Sequence, residues 1–488
     1  MNQFAVLAPV LAPLLIALFA GGIGWHSWSW QMLTAAGLIQ FAAGVLLAMA
    51  TTDGSAVTLG SLDFRVDALS AFVMLVIGAV GTLAGWGSRS YLADEVAGGA
   101  GSSRRRRQYV TLVPMFLATM ALAVVADNLG VMWAAIEGTT IVTAFLVGHT
   151  RTRGALEATW KYVVLGSTGI ALAFLGTVLV HFAAVQRGVS TLSWMALSPI
   201  AGQLDPGVMR LAAALIVIGF GTKAGLAPMH AWLPDAHSQA PAPVSALMSG
   251  VLTSVAFYAI LRYLPIFTGG SNASPTRPML AVLGLTSLFV AASLLIAQRD
   301  LKRLLGYSTV ENMGLMALGE AAGSKFAITV VLLHMVGHGM TKAGLFLAAG
   351  RVAHLEGTTT LASINGLLVR RPQLGAGLAT GMVFLLGLPP SALLLSEVGI
   401  VAGLVMTGLT WVAIVAVVLL FVVFVAIVRA NASLVLGPAL DAAQGPTAST
   451  TGLLPTWTGI ACTVGLVLGL PWLLPLLTRA AEVVTRHG

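Results

Sequence analysis

The sequence predicts an all-α, polytopic membrane protein with about fourteen transmembrane helices, and three observations carry this prediction. Hydrophobic residues make up 57% of the 488 residues and charged residues only 9%, with a mean hydropathy of +0.93. A soluble domain carries about 25% charged residues, so the solvent of this chain is lipid. Apolar runs of about 20 residues, long enough to cross a bilayer, recur along the whole chain. The basic residues gather at the ends of these runs, as they do in membrane proteins.

Polar residues and Gly or Pro separate the apolar runs and so mark the predicted spans. The fourteen spans are residues 4–20, 31–50, 67–87, 110–126, 128–148, 159–184, 208–226, 241–263, 278–298, 304–321, 325–350, 373–405, 408–432 and 453–477. The first span has no basic start and no clean small-residue cleavage site, so we expect a retained helix rather than a signal peptide. Residues 53–66 are expected to form an extended loop or a hairpin, and residues 438–452 a polar linker.

Lys and Arg residues gather on one side of the predicted spans. Fifteen of the 25 follow odd-numbered spans, among them the run Arg104 to Arg107, and six follow even-numbered spans. Because cytoplasmic loops are rich in Lys and Arg, the arginine run is expected in the cytoplasm and both termini outside it. The expected location is the cytoplasmic (inner) membrane of a bacterium or archaeon.

Composition also excludes several classes of protein. The formal net charge of +8 is not gathered on one polar face, which argues against nucleic-acid binding. The single cysteine, Cys462, lies in an apolar run, so an intramolecular disulfide and a Cys-rich zinc or iron–sulfur site are excluded. No sequence motif indicates a flavin, nicotinamide or haem site. We therefore expect no cofactor and no redox step in this chain itself.

Several ionisable side chains lie inside the predicted spans, where a charge is costly and needs a partner, water or a function. They are Glu137, Lys223, Glu311, His334, His338, Lys342 and Glu397. Acidic and basic groups on different helices can pair, and a proton on one changes the charge balance of the other. Such groups, joined by water, are what a proton path needs. A purely structural ion pair is the alternative for Glu137, Lys223 and Glu397.

The row His334, His338 and Lys342 repeats every four residues and therefore lines one face of its helix. This face could carry a proton by short steps. It could also pack against a polar neighbouring subunit. The two histidines could instead bind a metal ion, although the sequence offers no third ligand of the right kind nearby. We expect the proton path and no metal.

Proline and glycine interrupt two of the predicted spans. The first interruption follows Lys223, with four prolines between residues 228 and 243, and the second is Pro389-Pro390, just before Glu397. An interrupted helix is tolerated at membrane depth only beside protein or a water-filled cavity. Two interruptions in corresponding halves indicate an inverted-repeat transporter with its pathway at the breaks. The polar groups divide between the halves as Glu137 with Lys223, and Glu311 with Glu397 and Lys342.

A long motif, KAGLAPMHAWLPDAHSQAPAPVSALMSG (residues 223–250), resembles the antiporter-like subunits of complex I and the Mrp-type cation/proton antiporters. Three further segments are most similar to hydrogenase-4 component F and its relatives in group 4 membrane-bound hydrogenases. These segments are VMWAAIEGTT, GALEATWKYVVLGSTGIAL and RDLKRLLGYSTVENMGLMALG. The resemblance covers the chain from about residue 60 to residue 430.

This resemblance implies fourteen helices, two inverted five-helix repeats with broken helices 7 and 12, and a central row of polar residues. The implied units are residues 1–109 (helices 1–3), 110–265 (helices 4–8), 266–437 (helices 9–13) and 438–488 (helix 14). By motif, the implied path residues are Glu137, Lys161, Lys223, His237, His338, Lys342 and Glu397. One departure stands out: Ser254 occupies the eighth-helix position where many relatives have a lysine.

The implied function is that of a proton-translocating subunit in a multisubunit, redox-driven complex. Its partners would be other antiporter-like and small helical membrane subunits, and a peripheral redox arm. Two alternatives stay open: an ion-uptake module or cation/proton antiporter without a redox partner, and a passive scaffold whose path is broken at Ser254. We expect H⁺ rather than Na⁺ as the coupling ion, because lysines compete poorly as Na⁺ ligands. The electron donor and acceptor do not follow from these motifs.

Overall fold

The computed structural model describes residues 2–99, 102–269, 275–437 and 450–485, most of which are α-helical. The first half contains α1 (Asn2–Ile23), α2 (Ser29–Thr51), α3 (Ala68–Ala97), α4 (Ser103–Val125), α5 (Leu129–Val147), α6 (Arg153–Val185), α7 (Trp194–Leu197), α8 (Pro206–Ala224), α9 (Trp232–Gln239), α10 (Ala242–Leu247) and α11 (Thr253–Thr268). The second half contains α12 (Thr276–Leu295), α13 (Leu301–Ala322), α14 (Lys325–Glu356), α15 (Leu367–Arg370), α16 (Pro372–Leu385), α17 (Ala392–Met406), α18 (Thr410–Leu436), α19 (Thr450–Leu468) and α20 (Leu470–Thr485). The all-α membrane fold predicted from composition is confirmed.

Polar residues at the ends of the apolar runs start these helices. Asp67, Asn128 and Asp300 each accept a hydrogen bond from a backbone N–H in the first turn of α3, α5 and α13. Such caps satisfy donors that have no partner within the helix. The same polar punctuation that separated the predicted spans therefore fixes where the helices begin.

By length and apolarity, eleven helices within the described residues can cross a bilayer, and the bent pair α19 and α20 would make a twelfth. The shorter α16 and α17, and α13 with its charged side chains, occupy the remaining predicted segments. Helical segments follow the fourteen predicted spans in order. Fourteen crossings, the two inverted repeats and the four-unit division stay predictions.

Two helices form the middle of the bundle. The segment Ala242–Thr268, which includes α10, a π-helical turn (Met248–Leu252) and α11, is buried along its whole apolar window, and 94% of the window of α14 is buried. By contrast, only 28% of the window of α18 (Thr410–Leu436) is buried. The central helices therefore contact protein on all sides, while the outer helices present apolar faces to lipid.

Glycine allows α2 and α3 to pack with their backbones in contact. A Cβ added at Gly37 would lie 2.3 Å from the backbone nitrogen of Thr82, and one at Gly78 would lie 2.2 Å from that of Phe41. Small residues at helix crossings are the usual means of close packing in membranes. These two positions accept no larger residue without moving a helix.

The predicted break after Lys223 is present. Gly225, with φ of +85°, ends α8, and the chain resumes as the short helix α9. Side chains bind the backbone groups that the break frees: Trp232 Nε1 donates to the Thr222 carbonyl at 2.9 Å, and Ala227 N–H donates to Ser287 Oγ at 2.8 Å. Irregular backbone at membrane depth needs such partners.

The second predicted break, between α16 and α17, is also present. Gly387 has φ of +62°, and a Cβ there would lie 2.3 Å from Glu397 Oε2. The break therefore brings the backbone directly against a carboxylate, which only glycine permits. Ser391 caps α17 through the Leu394 N–H.

The last predicted helix, residues 453–477, is wrong as a single straight span. The structure has α19 and α20 in its place, bent by 82° at Gly469. Gly469 and Pro471 explain the bend, because the residue before a proline avoids helical backbone angles. Most of the predicted linker 438–452 lies outside the described residues.

A β-hairpin occupies the predicted loop 53–66, as β1 (Val57–Leu59) paired antiparallel with β2 (Phe64–Val66). A buried ion cluster anchors it: Arg262 makes two 2.6 Å bonds to Asp67, and Arg65 also donates to Asp67. Trp194 covers the cluster, with Arg65 and Arg262 over its ring at 4.7 and 5.3 Å. The cluster thereby joins the hairpin to α3, α7 and α11.

Candidate functional site

Lys223 is the centre of the polar group in the first half. It lies in the last turn of α8, where the helix dipole favours a cation, and it is fully buried. Its ammonium donates to Thr140 Oγ1 and to Tyr162 OH, both at 2.6 Å. These two partners come from α5 and α6, so Lys223 ties three helices together.

Glu137 is one turn before Thr140 on α5 and is half-buried. Its carboxylate accepts from Thr140 Oγ1 and from Ser167 Oγ, each at 3.0 Å. Thr140 therefore accepts from Lys223 and donates to Glu137. The expected pairing of Glu137 with Lys223 is thus mediated by one hydroxyl, and not a direct contact.

An aromatic path leads from this group to His237. Tyr162 packs on Trp232 at a ring distance of 4.9 Å, and the His237 ring lies between Trp232 at 6.3 Å and Phe346 at 5.5 Å. His237 is fully buried, and neither ring nitrogen has a hydrogen-bond partner among the residues that the structure describes. Buried polar groups are normally paired with protein or ordered water. The site therefore has an unmet demand for two polar contacts.

Lys302 supports the broken segment from below. Its ammonium donates to the carbonyls of Ser238 at 2.9 Å and of Ala240 at 2.5 Å, between α9 and α10. A cavity of about 540 Å³ opens beside it. The charged and titratable residues that line this cavity are Asp94, Glu95, Arg105, Lys302, Arg351 and His354. The cavity connects the surface to the region under His237.

The predicted row on α14 lines one face, and each member contacts a different polar group. The rings of His334 and His338 stack at 6.4 Å with an angle of 14°. Lys342 donates to the Leu305 carbonyl at 2.7 Å and to Ser308 Oγ. All three side chains of the row are fully buried. The prediction of a shared face is confirmed.

At its other end the row meets two carboxylic acids. His334 Nε2 lies 3.0 Å from Asn312 Oδ1, and its Nδ1 lies 2.9 Å from Ser396 Oγ. The Asn312 amide also donates to Glu311. Glu311 and Glu397 line one cavity of about 250 Å³ between α13, α17 and α18. The structure thus brings together the second-half residues that the sequence singled out.

Ser254 is buried, but its hydroxyl donates to the Gly250 carbonyl of its own helix at 3.2 Å. Ser249, at the π-helical turn, makes the cross-helix contacts. Its carbonyl lies 3.3 Å from His338 Nε2, and its hydroxyl is 2.7 Å from Thr309 Oγ1. The bridging role of Ser254 stays a prediction, and Ser249 is a second candidate for it.

Lys161 lies apart from the buried row. Its side chain is 44% exposed and forms ion pairs with Glu157 at 2.6 Å and Asp235 at 2.9 Å. The next residue, Tyr162, is the one that reaches Lys223. The motif match placed Lys161 in the path, whereas the contact with the buried lysine comes from the neighbouring hydroxyl.

Residues 126–423 match the family described as NADH:quinone oxidoreductase/Mrp antiporter, TM. This segment contains every ionisable group of the row described above. The chain belongs to that family. A hydrogenase-4 component F homolog of Methylacidiphilum infernorum is 38% identical over 337 residues, which are 68% of this chain and 71% of the relative.

Solved structures of other family members have the same fold. The archaeal membrane-bound sulfane sulfur reductase contains a chain with a TM-score of 0.88 at 22% identity, covering 99% of this chain and 98% of that one. The Mrp complex from Dietzia sp. DQ12-45-1b contains one with a TM-score of 0.85 at 22% identity, covering 99% and 97%. Other curated relatives are longer: the chain covers 51% of the NADH-quinone oxidoreductase subunit N of Desulforudis audaxviator.

Sequence analysis of this antiporter-family chain missed the uncharged members of the row. These are Thr140, Tyr162, Ser167, Ser249, Ser308, Thr309, Asn312 and Ser396. A hydroxyl can both donate and accept, so it can join two charged groups without adding a charge. The signal for Thr140 and Ser308 was their position three residues from Glu137 and Glu311, on the same helix face.

Proposed function

We propose that this chain is the proton-translocating, antiporter-like membrane subunit of a multisubunit, redox-driven complex. One observation carries the proposal: protonatable side chains alternate with hydroxyl and amide groups through the buried middle of the bundle. Family membership supports it. Buried charge is costly, and a row that retains two lysines and three carboxyl groups in apolar helices indicates a transported ion.

In the first half, Lys223 and Glu137 exchange charge through Thr140. A proton on Glu137 removes the negative charge that favours the Lys223 ammonium, so loading one group promotes release from the other. The hydroxyl contact at 2.6 Å couples the groups without locking them as a direct ion pair. A locked pair would hold both charges permanently and would not switch.

In the second half, the proton is relayed along α14 toward the acids. His334 contacts Asn312, and Asn312 in turn contacts Glu311. Glu311 and Glu397 share a cavity, so each proton that arrives there has two acceptors. We assign the release site of this half to that cavity.

Water joins the two halves around His237. Its two unpaired ring nitrogens lie between the Lys223 group and Lys342, and imidazole can accept a proton at one nitrogen and donate from the other. The cavity beside Lys302 supplies water from the surface. In the orientation expected from the arginine run, this surface is cytoplasmic and both termini are on the opposite side.

Redox chemistry belongs to partner subunits in this proposal. The chain itself would carry no cofactor, and its partners would be further membrane subunits and a peripheral redox arm in a prokaryotic cytoplasmic membrane. Similarity to a hydrogenase-4 component F homolog and to a chain of a sulfane sulfur reductase complex favours this assignment. An antiporter without a redox partner is the second candidate, and the likeness to a chain of an Mrp complex favours it.

The test uses the complex reconstituted in proteoliposomes with a pH-sensitive dye. Lys223→Ala and Glu137→Gln are expected to abolish proton uptake driven by electron transfer, because each leaves its partner without a group to exchange charge with. Lys325→Ala removes an exposed lysine paired with Glu482 and serves as the matched control. Wild-type pumping by either variant in an assembled complex would reduce the pair to a structural role. Proton movement driven by a cation gradient alone would instead select the antiporter function.

A further inference from the structure

A groove at the membrane boundary lies outside the buried row. It has a volume of about 410 Å³ and opens where α4 begins, between α1 and α5. Its lining residues are Gly21, Arg104, Arg107, Gln108, Thr111, Leu112 and Phe145. The four polar side chains among them follow the spacing i, i+3, i+4 and i+7, so they form one stripe along α4.

The arginine run at the start of α4 divides by direction. Arg105 contacts Glu95 at 3.8 Å and the Thr150 carbonyl at 3.2 Å, and Arg106 covers the Trp25 ring at 4.6 Å. Arg104 and Arg107 face the groove and are exposed. Within the described ranges, neither of these two guanidinium groups has a hydrogen bond or an ion pair. Two free cations therefore stand at the mouth of the groove.

Thr111 provides an independent sign of a ligand. Its hydroxyl oxygen is buried and has no partner in the described part of the chain. Other helical threonines here, such as Thr159 and Thr177, donate to the carbonyl four residues earlier. Thr111 instead turns its hydroxyl toward Gly21, whose missing side chain leaves the groove open: an added Cβ would lie 3.5 Å from that oxygen.

Below the polar mouth the surface becomes apolar. One helical turn deeper in the membrane lie Leu18 on α1, Met115 on α4 and Ile141 on α5, all exposed. Phe145 forms the wall between mouth and floor and is 66% exposed. The groove thus offers cations at its mouth, a hydroxyl in its middle and hydrocarbon contact below.

We propose that this groove binds one anionic phospholipid. Arg104 and Arg107 bind the phosphate by charge-assisted hydrogen bonds, the Thr111 hydroxyl donates to an ester carbonyl, and an acyl chain lies over Met115 and Ile141. A free phosphate ion would use only the mouth, and the apolar floor would gain nothing from it. The groove volume far exceeds the roughly 30 Å³ that one water occupies, so a headgroup and part of its glycerol fit.

The experiment uses the purified complex in phosphatidylcholine nanodiscs, titrated with phosphatidylglycerol and followed by native mass spectrometry. Wild type is expected to bind one phosphatidylglycerol at this chain. Loss of one arginine, by Arg104→Gln or Arg107→Gln, should weaken binding roughly fivefold, and loss of both roughly 30-fold. Thr111→Val should weaken it without any change of charge. Arg153→Gln, an exposed arginine at the start of α6, should bind as wild type does.

Three outcomes would overturn the proposal. Equal phosphatidylglycerol binding by wild type and the double arginine variant would show that the groove is not the site. Competition by inorganic phosphate as effective as competition by phosphatidylglycerol would reassign it to a free anion. A photocrosslinker at position 115 that captures a neighbouring subunit and no lipid would make the groove a protein interface.

Discussion

Lys223 and Thr140 are joined by a 2.6 Å hydrogen bond, and the same threonine hydroxyl donates onward to Glu137. An ammonium has only donors, and a carboxylate has only acceptors. The hydroxyl between them accepts from one and donates to the other, so its orientation reports the direction of the charge pair. Deprotonation of Lys223 or protonation of Glu137 would free the hydroxyl to turn.

Thr140→Val is therefore expected to slow proton translocation roughly tenfold. Valine has nearly the same shape but leaves the buried ammonium one partner short, which costs about 1–3 kcal/mol. Thr140→Ser should keep most of the rate because it keeps the hydroxyl. Thr139→Val is the matched control, since that hydroxyl donates only to its own helix, at the Ile136 carbonyl. The rate of dye response in proteoliposomes measures all three, and equal rates for Thr140→Val and Thr139→Val would contradict the bridge.

Sequence alone identified the charged members of the row because a charge in an apolar helix is expensive and therefore conspicuous. It could not identify Thr140, because serine and threonine are common in membrane helices and usually bond to their own backbone, as Thr177 does. Only the packing of α5 against α6 and α8 decides which hydroxyl reaches a neighbour. The motif-based choice of Lys161 over Tyr162 missed for the same reason.

Asp67 is expected to contribute to the stability of the hairpin side of the bundle. Burial alone would raise the pKa of Asp67, but Arg262 and Arg65 hold the pKa of this carboxyl well below its usual range. The stabilisation is therefore complete above the unfolded pKa of about 4 and is lost as the pH falls below it. Asp67→Asn leaves two buried arginines uncompensated and should cost about 3–5 kcal/mol.

Thermal unfolding of the purified complex at neutral pH checks this. Asp53→Asn, an exposed aspartate of the same loop region, is the control and should leave the unfolding temperature unchanged. An unchanged unfolding temperature in Asp67→Asn would mean that the arginines find other partners.

The fold followed from the sequence where proline and glycine had a local effect. The breaks after Lys223 and before Glu397 were predicted because a helix cannot continue through those prolines without freeing backbone groups. The bend at Gly469 was missed, since Gly-Leu-Pro in an apolar run is also compatible with a mild kink. Its angle of 82° depends on how α20 packs against α14 and α3, which composition does not encode.

The orientation in the membrane is expected to follow the arginine run. In a Cys462→Ala background, Ser103→Cys, beside this run, should react with an impermeant thiol reagent only in inside-out vesicles. Ser190→Cys, after α6, should react only from outside intact cells. Both positions are exposed, so accessibility depends on the side of the membrane alone. Labelling of Ser103→Cys in intact cells would reverse the assigned orientation.

The last prediction compares Ser249 with Ser254 as the link between the two halves. A serine hydroxyl can hold water in a chain without carrying charge, so ordered water is expected near Ser254. Ser254→Ala should then slow proton transfer several-fold in an assembled complex. Ser249 already contacts Thr309 across the helix boundary, and its carbonyl faces His338. Ser249→Ala should therefore slow transfer as well, by removing the Thr309 contact.

Ser245→Ala is a suitable control on the same segment, because that hydroxyl donates to backbone carbonyls, including that of His237 at 2.8 Å. Proton translocation rates and a high-resolution map of the complex decide between the two serines. A map with the Ser254 region dry and apolar, together with a fully active Ser254→Ala, would remove Ser254 from the path. If only Ser249→Ala is slow, the link runs through the π-helical turn, where the irregular backbone turns Ser249 toward α13 and α14. If neither variant is slow, each half must exchange protons with its own side of the membrane, and the row would not span the subunit.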